Sequence, residues 1–154
     1  MPDAVRVLVL GYGNTLRGDD AAGRVVAERL QAAVRNPAIE IRSLHQLAPE
    51  LMEPLSRVER AIFIDASTTG RPGRYMRVPL HPAPQCARFS HQATPEALLS
   101  GARSLYGRCP EATLYLIPGQ AYDTPDRLTG PVQLAVDQLA EHLVETLQTA
   151  CPQL

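Results

Sequence analysis

The sequence is poor in cysteine, with three in 154 residues, Cys86, Cys109 and Cys151. They are widely spaced, odd in number and form no Cys-x-x-Cys pair, which argues against a disulfide framework and against a zinc knuckle. Such sparing use of cysteine fits a reducing compartment. We therefore expect a cytoplasmic protein that folds without a disulfide or a structural metal.

The sequence also has no excess of either charge and no long apolar run. Its 15 basic and 16 acidic residues give no bulk electrostatic reason to bind nucleic acid or an anionic membrane. No apolar run approaches the ~20 residues of a membrane span. A predicted core strand begins within a few residues of Met1 and leaves no room for a signal peptide. We expect a soluble protein whose partners are neither nucleic acid nor membrane.

Two familiar hydrolase motifs are absent as well. The sequence contains no Gly-x-Ser-x-Gly and no His-Glu-x-x-His. The serines that follow or approach predicted strands, Ser43, Ser67 and Ser90, lack the sharp turn that would expose a nucleophile. No nucleophilic residue is evident from the sequence.

Alternating apolar segments predict one α/β domain spanning residues 1–154. Strands are predicted at about 6–10, 39–44, 60–65, 74–78 and 111–117, and helices at about 22–34, 49–55, 95–105 and 131–147. We expect a three-layer fold with about five strands in a mostly parallel twisted sheet and helices on both faces.

One strand and one loop depart from the parallel pattern. Residues 74–78 follow the third strand too closely for a crossover helix, so they are predicted to form an antiparallel edge strand. Residues 79–89 contain three prolines and no periodicity, and they are predicted to form a long loop. Loops of this length are usually functional or mobile.

The first predicted strand leads into an acidic turn. An apolar run through Leu10 is followed by Gly11-Tyr12-Gly13-Asn14, and then by Asp19 and Asp20 just before a helix. An aspartate here can cap the helix, which is worth about 1 kcal/mol. Capping does not require two carboxylates, and open α/β sheets bind ligands at the carboxyl ends of their strands. We expect one aspartate to cap the helix and at least one to be functional.

The same turn does not fit a dinucleotide-binding motif. Leu16 stands where the third glycine of that motif should be, and two carboxylates would face an anionic pyrophosphate. A nucleotide site is therefore disfavoured.

Several polar side chains follow other predicted strands. Asp20, His45 and Asp65 each follow a parallel strand, so they should emerge at one edge of the sheet, and the long loop could bring His91 there. Two carboxylates with one or two imidazoles predict a divalent metal site with open coordination positions. Asp19, Asn14 and His45 are further possible cleft residues.

Each of these residues also has a structural interpretation. Asp65 could cap the turn that follows its strand, His91 could pack beside Phe89, and His45 could begin a loop in which Gln46 bonds to the backbone. The sequence leaves these alternatives open.

The first turn resembles that of a known family. Gly11-x-Gly13-Asn14-x-Leu16-x-x-Asp19-Asp20-x-x-Gly23 is similar to the N-terminal signature of the hydrogenase maturation endopeptidases. The resemblance extends to Leu105-Tyr106-Gly107-x-x-Pro110-Glu111 and to the helix after Leu128-Thr129. The family usually has glycine directly after the acidic pair, where this chain has Ala21. The turn therefore cannot require a positive φ at that position.

The resemblance implies a function, a metal and a set of site residues. These endopeptidases, often classed as aspartic-type, remove a C-terminal extension from the precursor of the [NiFe]-hydrogenase large subunit after nickel insertion. By resemblance, Asp20, Asp65 and His91 contact the metal, and Asp20 and Asp65 are the catalytic candidates. His45 is not part of that set. Nickel would be carried by the precursor, which is the implied partner of a monomeric enzyme without an organic cofactor.

Two other functions stay open at this point. The chain could be a non-catalytic, nickel-dependent docking or chaperone module for the precursor, or a metal-dependent hydrolase of small amides. The sequence does not decide whether Asp20 or Asp65 acts as general base.

Overall fold

A computed structural model describes residues 5–84, 93–125 and 127–150 of the chain. These residues form five strands and four α-helices, with short 3-10 turns at Gly18–Ala21 and Pro49–Leu51. In chain order the elements are β1 Val7–Tyr12, α1 Ala22–Ala33, β2 Ile39–Leu44, α2 Met52–Ser56, β3 Arg60–Ser67, β4 Met76–Leu80, α3 Pro95–Tyr106, β5 Glu111–Pro118 and α4 Gly130–Ala150.

The strands form one sheet in the order β2-β1-β3-β5-β4. The pairs β1–β2, β1–β3 and β3–β5 are parallel, whereas β4 runs antiparallel to β5 at the edge. The predicted α/β fold, with a mostly parallel sheet and one antiparallel edge strand, is confirmed.

Helices cover both faces of the sheet, and the central strands contribute to both cores. Val7 and Val9 of β1 pack into the core beneath α1 and α4. Leu8 and Leu10 pack into the core beneath α2 and α3. Successive side chains of a strand point to opposite faces, and a strand covered on both sides must be apolar at every position. This geometry explains the continuous apolar run that predicted β1.

Several predicted boundaries were wrong by a few residues. β1 and β3 extend further into the site than predicted, because Tyr12 still pairs with Leu44 and Ser67 with Pro118. β4 is displaced toward the C-terminus and includes Pro79, which was predicted to lie in the loop. Proline lacks an N–H donor, and an edge strand tolerates that loss because one side has no neighbouring strand.

The start of α3 was predicted correctly. Thr94 is its N-cap and accepts a hydrogen bond from the Ala97 N–H at 3.1 Å, and Pro95 is its first residue. Residues 85–89 of the predicted 79–89 loop, and His91 after it, lie outside the described residues. Among the residues that the structure describes, no helix is long and apolar enough to cross a membrane.

Candidate functional site

The acidic turn after β1 is held in shape by Gly13 and Asn14. A Cβ atom at Gly13 would lie 1.9 Å from the backbone carbonyl oxygen of Asp20, so no side chain fits where the two segments meet. The Asn14 backbone N–H donates a hydrogen bond to Asp20 Oδ2 at 2.9 Å. Asn14 Oδ1 in turn accepts one from the Leu16 N–H at 2.9 Å. Asn14, predicted as a possible cleft residue, therefore supports the Asp20 carboxylate from behind.

The departure from the family pattern at Ala21 has no conformational cost. Ala21 has φ −80° and ψ −2°, in the right-handed region that any residue adopts. The prediction that this position needs no positive φ is confirmed.

Asp19 is fully buried, with 0% of its surface exposed. Its Oδ2 accepts hydrogen bonds from the N–H groups of Gln120 and Ala121 at 2.7 and 2.9 Å and from the Thr129 hydroxyl at 2.9 Å. Its Oδ1 accepts one from the Thr129 N–H at 2.8 Å. We call Asp19, Gln120, Ala121 and Thr129 the Asp19 joint. All of its donors lie in the segment between β5 and α4.

These hydrogen bonds determine the ionisation of Asp19. Burial alone would raise its pKa, but the N–H groups of Ala121, Thr129 and Gln120, together with the Thr129 hydroxyl, hold the pKa below its usual range. The prediction that one aspartate of the pair caps the following helix was wrong. Asp19 bonds the β5–α4 segment and Asp20 bonds the Asn14 N–H, because the turn places both ahead of α1 in a 3-10 turn of their own.

A cavity of about 320 Å³ opens at the carboxyl ends of β1, β2 and β3. Its lining includes Tyr12, Asp20, His45, Leu47, Asp65 and Pro95, but neither Asp19 nor Asn14. Asp20 and Asp65 thus share the cavity, as the order of the strands predicted. His45 lies at the same cavity and is exposed to solvent.

Asp65 is the most perturbed carboxyl group of this cavity. Burial, and to a lesser extent the neighbouring charge of Asp20, raise the pKa of Asp65 to about 6, although the Ala66 backbone N–H and the Tyr12 hydroxyl act in the opposite direction. Asp65 lines the cavity and lies two residues before the turn that follows β3. That turn is closed by Ser67, whose hydroxyl oxygen accepts a hydrogen bond from the Thr69 N–H at 3.1 Å.

Tyr12 is a site residue that was not predicted from the sequence. It is the last residue of β1, is 8% exposed and lines the cavity. Burial, followed by the charge and hydrogen bonding of Asp65, raises the pKa of Tyr12, so its hydroxyl stays protonated and donates to the carboxylate. Period-two alternation along β1 was the available signal, since it places Tyr12 on the same face as Leu10.

Comparison with known proteins gives the fold. No family model and no curated protein matches the chain. Solved structures do match, including the hydrogenase maturating endopeptidase HybD from E. coli, with 25% sequence identity and a TM-score of 0.77, covering 95% of this chain and 94% of that one.

Two further structures agree. The [NiFe] hydrogenase maturation protease HycI from Thermococcus kodakarensis has 23% identity and a TM-score of 0.75, and the match covers 94% of this chain and 93% of that one. The hydrogenase 2 maturation peptidase from a Thaumarchaeota archaeon has 25% identity and a TM-score of 0.68, covering 92% and 97% of the two chains. The fold is that of the hydrogenase maturation endopeptidases.

The cavity of this hydrogenase maturation endopeptidase fold is lined by two carboxylates, those of Asp20 and Asp65. Among residues 5–84, 93–125 and 127–150, no group of three His, Cys, Asp or Glu side chains could hold a metal ion, so His45 does not complete one with Asp20 and Asp65. The third predicted ligand, His91, lies outside the described residues. Two carboxylates supply hard oxygen ligands and leave most of a divalent coordination shell to other groups.

Proposed function

We propose that this chain is an endopeptidase that removes the C-terminal extension of a [NiFe]-hydrogenase large-subunit precursor after nickel insertion. One observation carries the proposal: Asp20 and Asp65 line one cavity at the carboxyl edge of the sheet. This sheet belongs to a fold shared with solved proteins named hydrogenase maturation proteases and endopeptidases.

In this proposal the nickel belongs to the precursor, and Asp20, Asp65 and His91 recognise it. Asp65 is ionised above a pH of about 6. Asp65 can therefore present an anionic oxygen to a divalent ion at neutral pH. A precursor without nickel lacks the ion that these oxygens recognise, which makes cleavage conditional on metal insertion. No organic cofactor is required.

In this proposal, the position of the precursor's metal accounts for the cleavage step. Metal held between precursor and enzyme would orient the scissile peptide bond beside the cavity and polarise its carbonyl group. We assign the role of general base to Asp65, since its pKa of about 6 lies close to neutral pH. Asp20 is then a nickel contact. The proposed enzyme works as a monomer in the cytoplasm.

The test compares nickel-loaded with nickel-free precursor, each incubated with the parent chain and with the Asp20→Asn and Asp65→Asn variants. Electrophoresis and intact mass report the loss of the extension. We expect the parent to shorten only loaded precursor and both variants to lose at least ~100-fold in rate, as expected when a group that contacts the reacting centre is removed.

Asp137→Asn is the matched control. Asp137 lies on α4, pairs with Arg29 and Gln133, and does not line the cavity. It should process precursor at the parental rate. Tight binding of loaded precursor without a shorter product would instead support a docking module, and metal-dependent cleavage of small amides without any action on precursor would support a small-amide hydrolase. Normal cleavage by both cavity variants would show that the site assignment is wrong.

A further inference from the structure

We propose that Asp19 is a positioning residue that sets the placement of Asp20 relative to Asp65. It does so by fastening the β5–α4 segment, of which residues 119–125 and 127–129 are described, to the turn that carries Asp20. The inference rests on the proposed function, because it assigns Asp19 a part in the same reaction.

The Asp19 joint fastens the β5–α4 segment to the acidic turn. Its carboxylate takes four hydrogen bonds from three residues of the β5–α4 segment. The Asp19 backbone N–H adds a fifth bond by donating to the Ala121 carbonyl oxygen at 2.9 Å. Asp20 is the next residue, in the same 3-10 turn. Displacement of the joint must therefore move the backbone of Asp20.

The same segment is also attached to β3. The Gly119 N–H donates to the Ser67 carbonyl oxygen at 2.8 Å, and the Tyr122 hydroxyl donates to that same oxygen at 3.0 Å. Ser67 lies two residues after Asp65 on β3. One segment thus holds the supports of both cavity carboxylates.

The segment and the turn also approach each other closely at two glycines. Gly18 has φ +50°, and a Cβ atom there would lie 2.7 Å from the Ala121 carbonyl oxygen. A Cβ atom at Gly119 would lie 2.4 Å from the Tyr122 hydroxyl oxygen and 3.0 Å from Asp19 Cβ. A side chain at Gly18 would push the segment away from the turn, and one at Gly119 would displace the Tyr122 side chain or crowd Asp19. The glycines therefore keep the joint tight.

Asp19 cannot act by touching the precursor. It is fully buried, and it does not line the cavity. Its influence must pass through Asp20 and through the segment that also holds Ser67. A misplacement of about 1 Å in reacting groups can cost on the order of 100-fold in rate, which makes such an influence measurable.

The experiment measures single-turnover cleavage of nickel-loaded precursor by Asp19→Asn, Thr129→Val and Thr129→Ser. It is run at a temperature at which circular dichroism shows each variant to be fully folded. In Asp19→Asn, an NH2 group, which cannot accept a hydrogen bond, replaces one of the two carboxylate oxygens. We expect its rate constant to fall at least ~10-fold at full product amplitude, with KM changed by less than ~3-fold.

Thr129 provides a milder matched pair. Thr129→Val keeps the shape and the backbone bond but removes the hydroxyl donor, and its rate constant should fall between ~3-fold and ~10-fold. Thr129→Ser restores the hydroxyl and should recover most of the rate. If Asp19→Asn does not fold, the comparison of Thr129→Val with Thr129→Ser tests the positioning role of the Asp19 joint.

A destabilising control separates positioning from folding. Leu147→Ala removes a buried side chain near the far end of α4 and should lower the melting temperature without changing the rate constant of the folded enzyme. Parental rate constants in folded Asp19→Asn and Thr129→Val would overturn the positioning role. Failure of the parent chain to cleave would instead contradict the proposed function.

Discussion

Asp19 and Asp20 are neighbours of the same residue type, yet the structure places them in different environments. Asp19 is fully buried and takes four hydrogen bonds from a segment more than 100 residues away. Asp20 is partly exposed, takes one hydrogen bond from the Asn14 N–H, and lines the cavity. Two adjacent acidic residues in a motif therefore need not have the same role. Here Asp19 bonds a distant segment of the chain and Asp20 lines the cavity.

Asp19 and Asp65 differ in the direction in which their pKa values are shifted. Both carboxyl groups lose water, but Asp19 is surrounded by donors and its pKa is lowered, whereas Asp65 shares its cavity with another carboxylate and its pKa is raised to about 6. Hydrogen bonds to the charged form decide the first case, and desolvation decides the second.

The largest effect should come from removing the buried carboxylate. Asp19→Ala should lower the free energy of unfolding by about 3–5 kcal/mol, because it leaves several buried donors without their charged acceptor. Asp20→Asn should change it by less than about 1 kcal/mol, because among the described residues the Asp20 side chain accepts one hydrogen bond, from the Asn14 N–H. Urea denaturation of both variants measures the difference. Equal losses would remove the distinction between the two aspartates.

The second prediction concerns the pH dependence of stability at Asp65. Its pKa is about 6 in the folded protein and 3.8 in the unfolded reference, so between these pH values the folded state binds more protons. Stability contributed by this group is therefore greatest below pH 4 and falls as pH rises through 6. Asp65→Asn removes the free-energy cost of ionising this buried carboxyl group. It should raise the free energy of unfolding at pH 7.5 by about 1–3 kcal/mol.

Asp19 should behave in the opposite way. Its folded pKa is depressed, so its contribution is fully present above the unfolded value of 3.8 and is lost as pH falls through the folded pKa. Denaturation of the parent and of Asp65→Asn from pH 3 to pH 8 separates the two groups. A constant difference between these proteins across that range would contradict the raised pKa of Asp65.

The smallest effect is expected at Ala21, which occupies the position where the family usually has glycine. Ala21→Gly should lower the free energy of unfolding by about 0.5–1 kcal/mol, because glycine loses more backbone entropy on folding and the native φ of −80° suits alanine. The rate of precursor processing should not change. Higher activity in Ala21→Gly would contradict this expectation, because it would show that processing benefits from the wider range of backbone conformations open to glycine.

Much of the fold could be predicted because its signals are local. Continuous apolar runs identified the buried strands, Thr94 followed by proline marked the start of α3, and the short connection before β4 indicated an antiparallel edge. The convergence of Asp20 and Asp65 also followed from the sequence, since parallel strands end at one edge of the sheet.

The remaining features depend on contacts between distant residues. No local pattern links Asp19 to Thr129, which lies 110 residues further along the chain. Without that link, capping by the nearest helix was the reasonable but wrong interpretation. Tyr12 was missed for a similar reason, because its hydroxyl meets a carboxylate on the neighbouring strand β3. The predicted role of His91 stays a prediction.

The Asp19 joint also imposes an order on biosynthesis. A ribosome has assembled both cavity carboxylates long before it adds residues 120, 121 and 129, which bond the Asp19 carboxylate in the described structure. The nascent chain therefore carries its acidic pair without the contacts that hold one member in place. Those contacts form only after translation has passed Thr129 and α4 can dock. If the joint positions Asp20 as proposed, the protease becomes active late in its own synthesis, and an early-terminated product is inert.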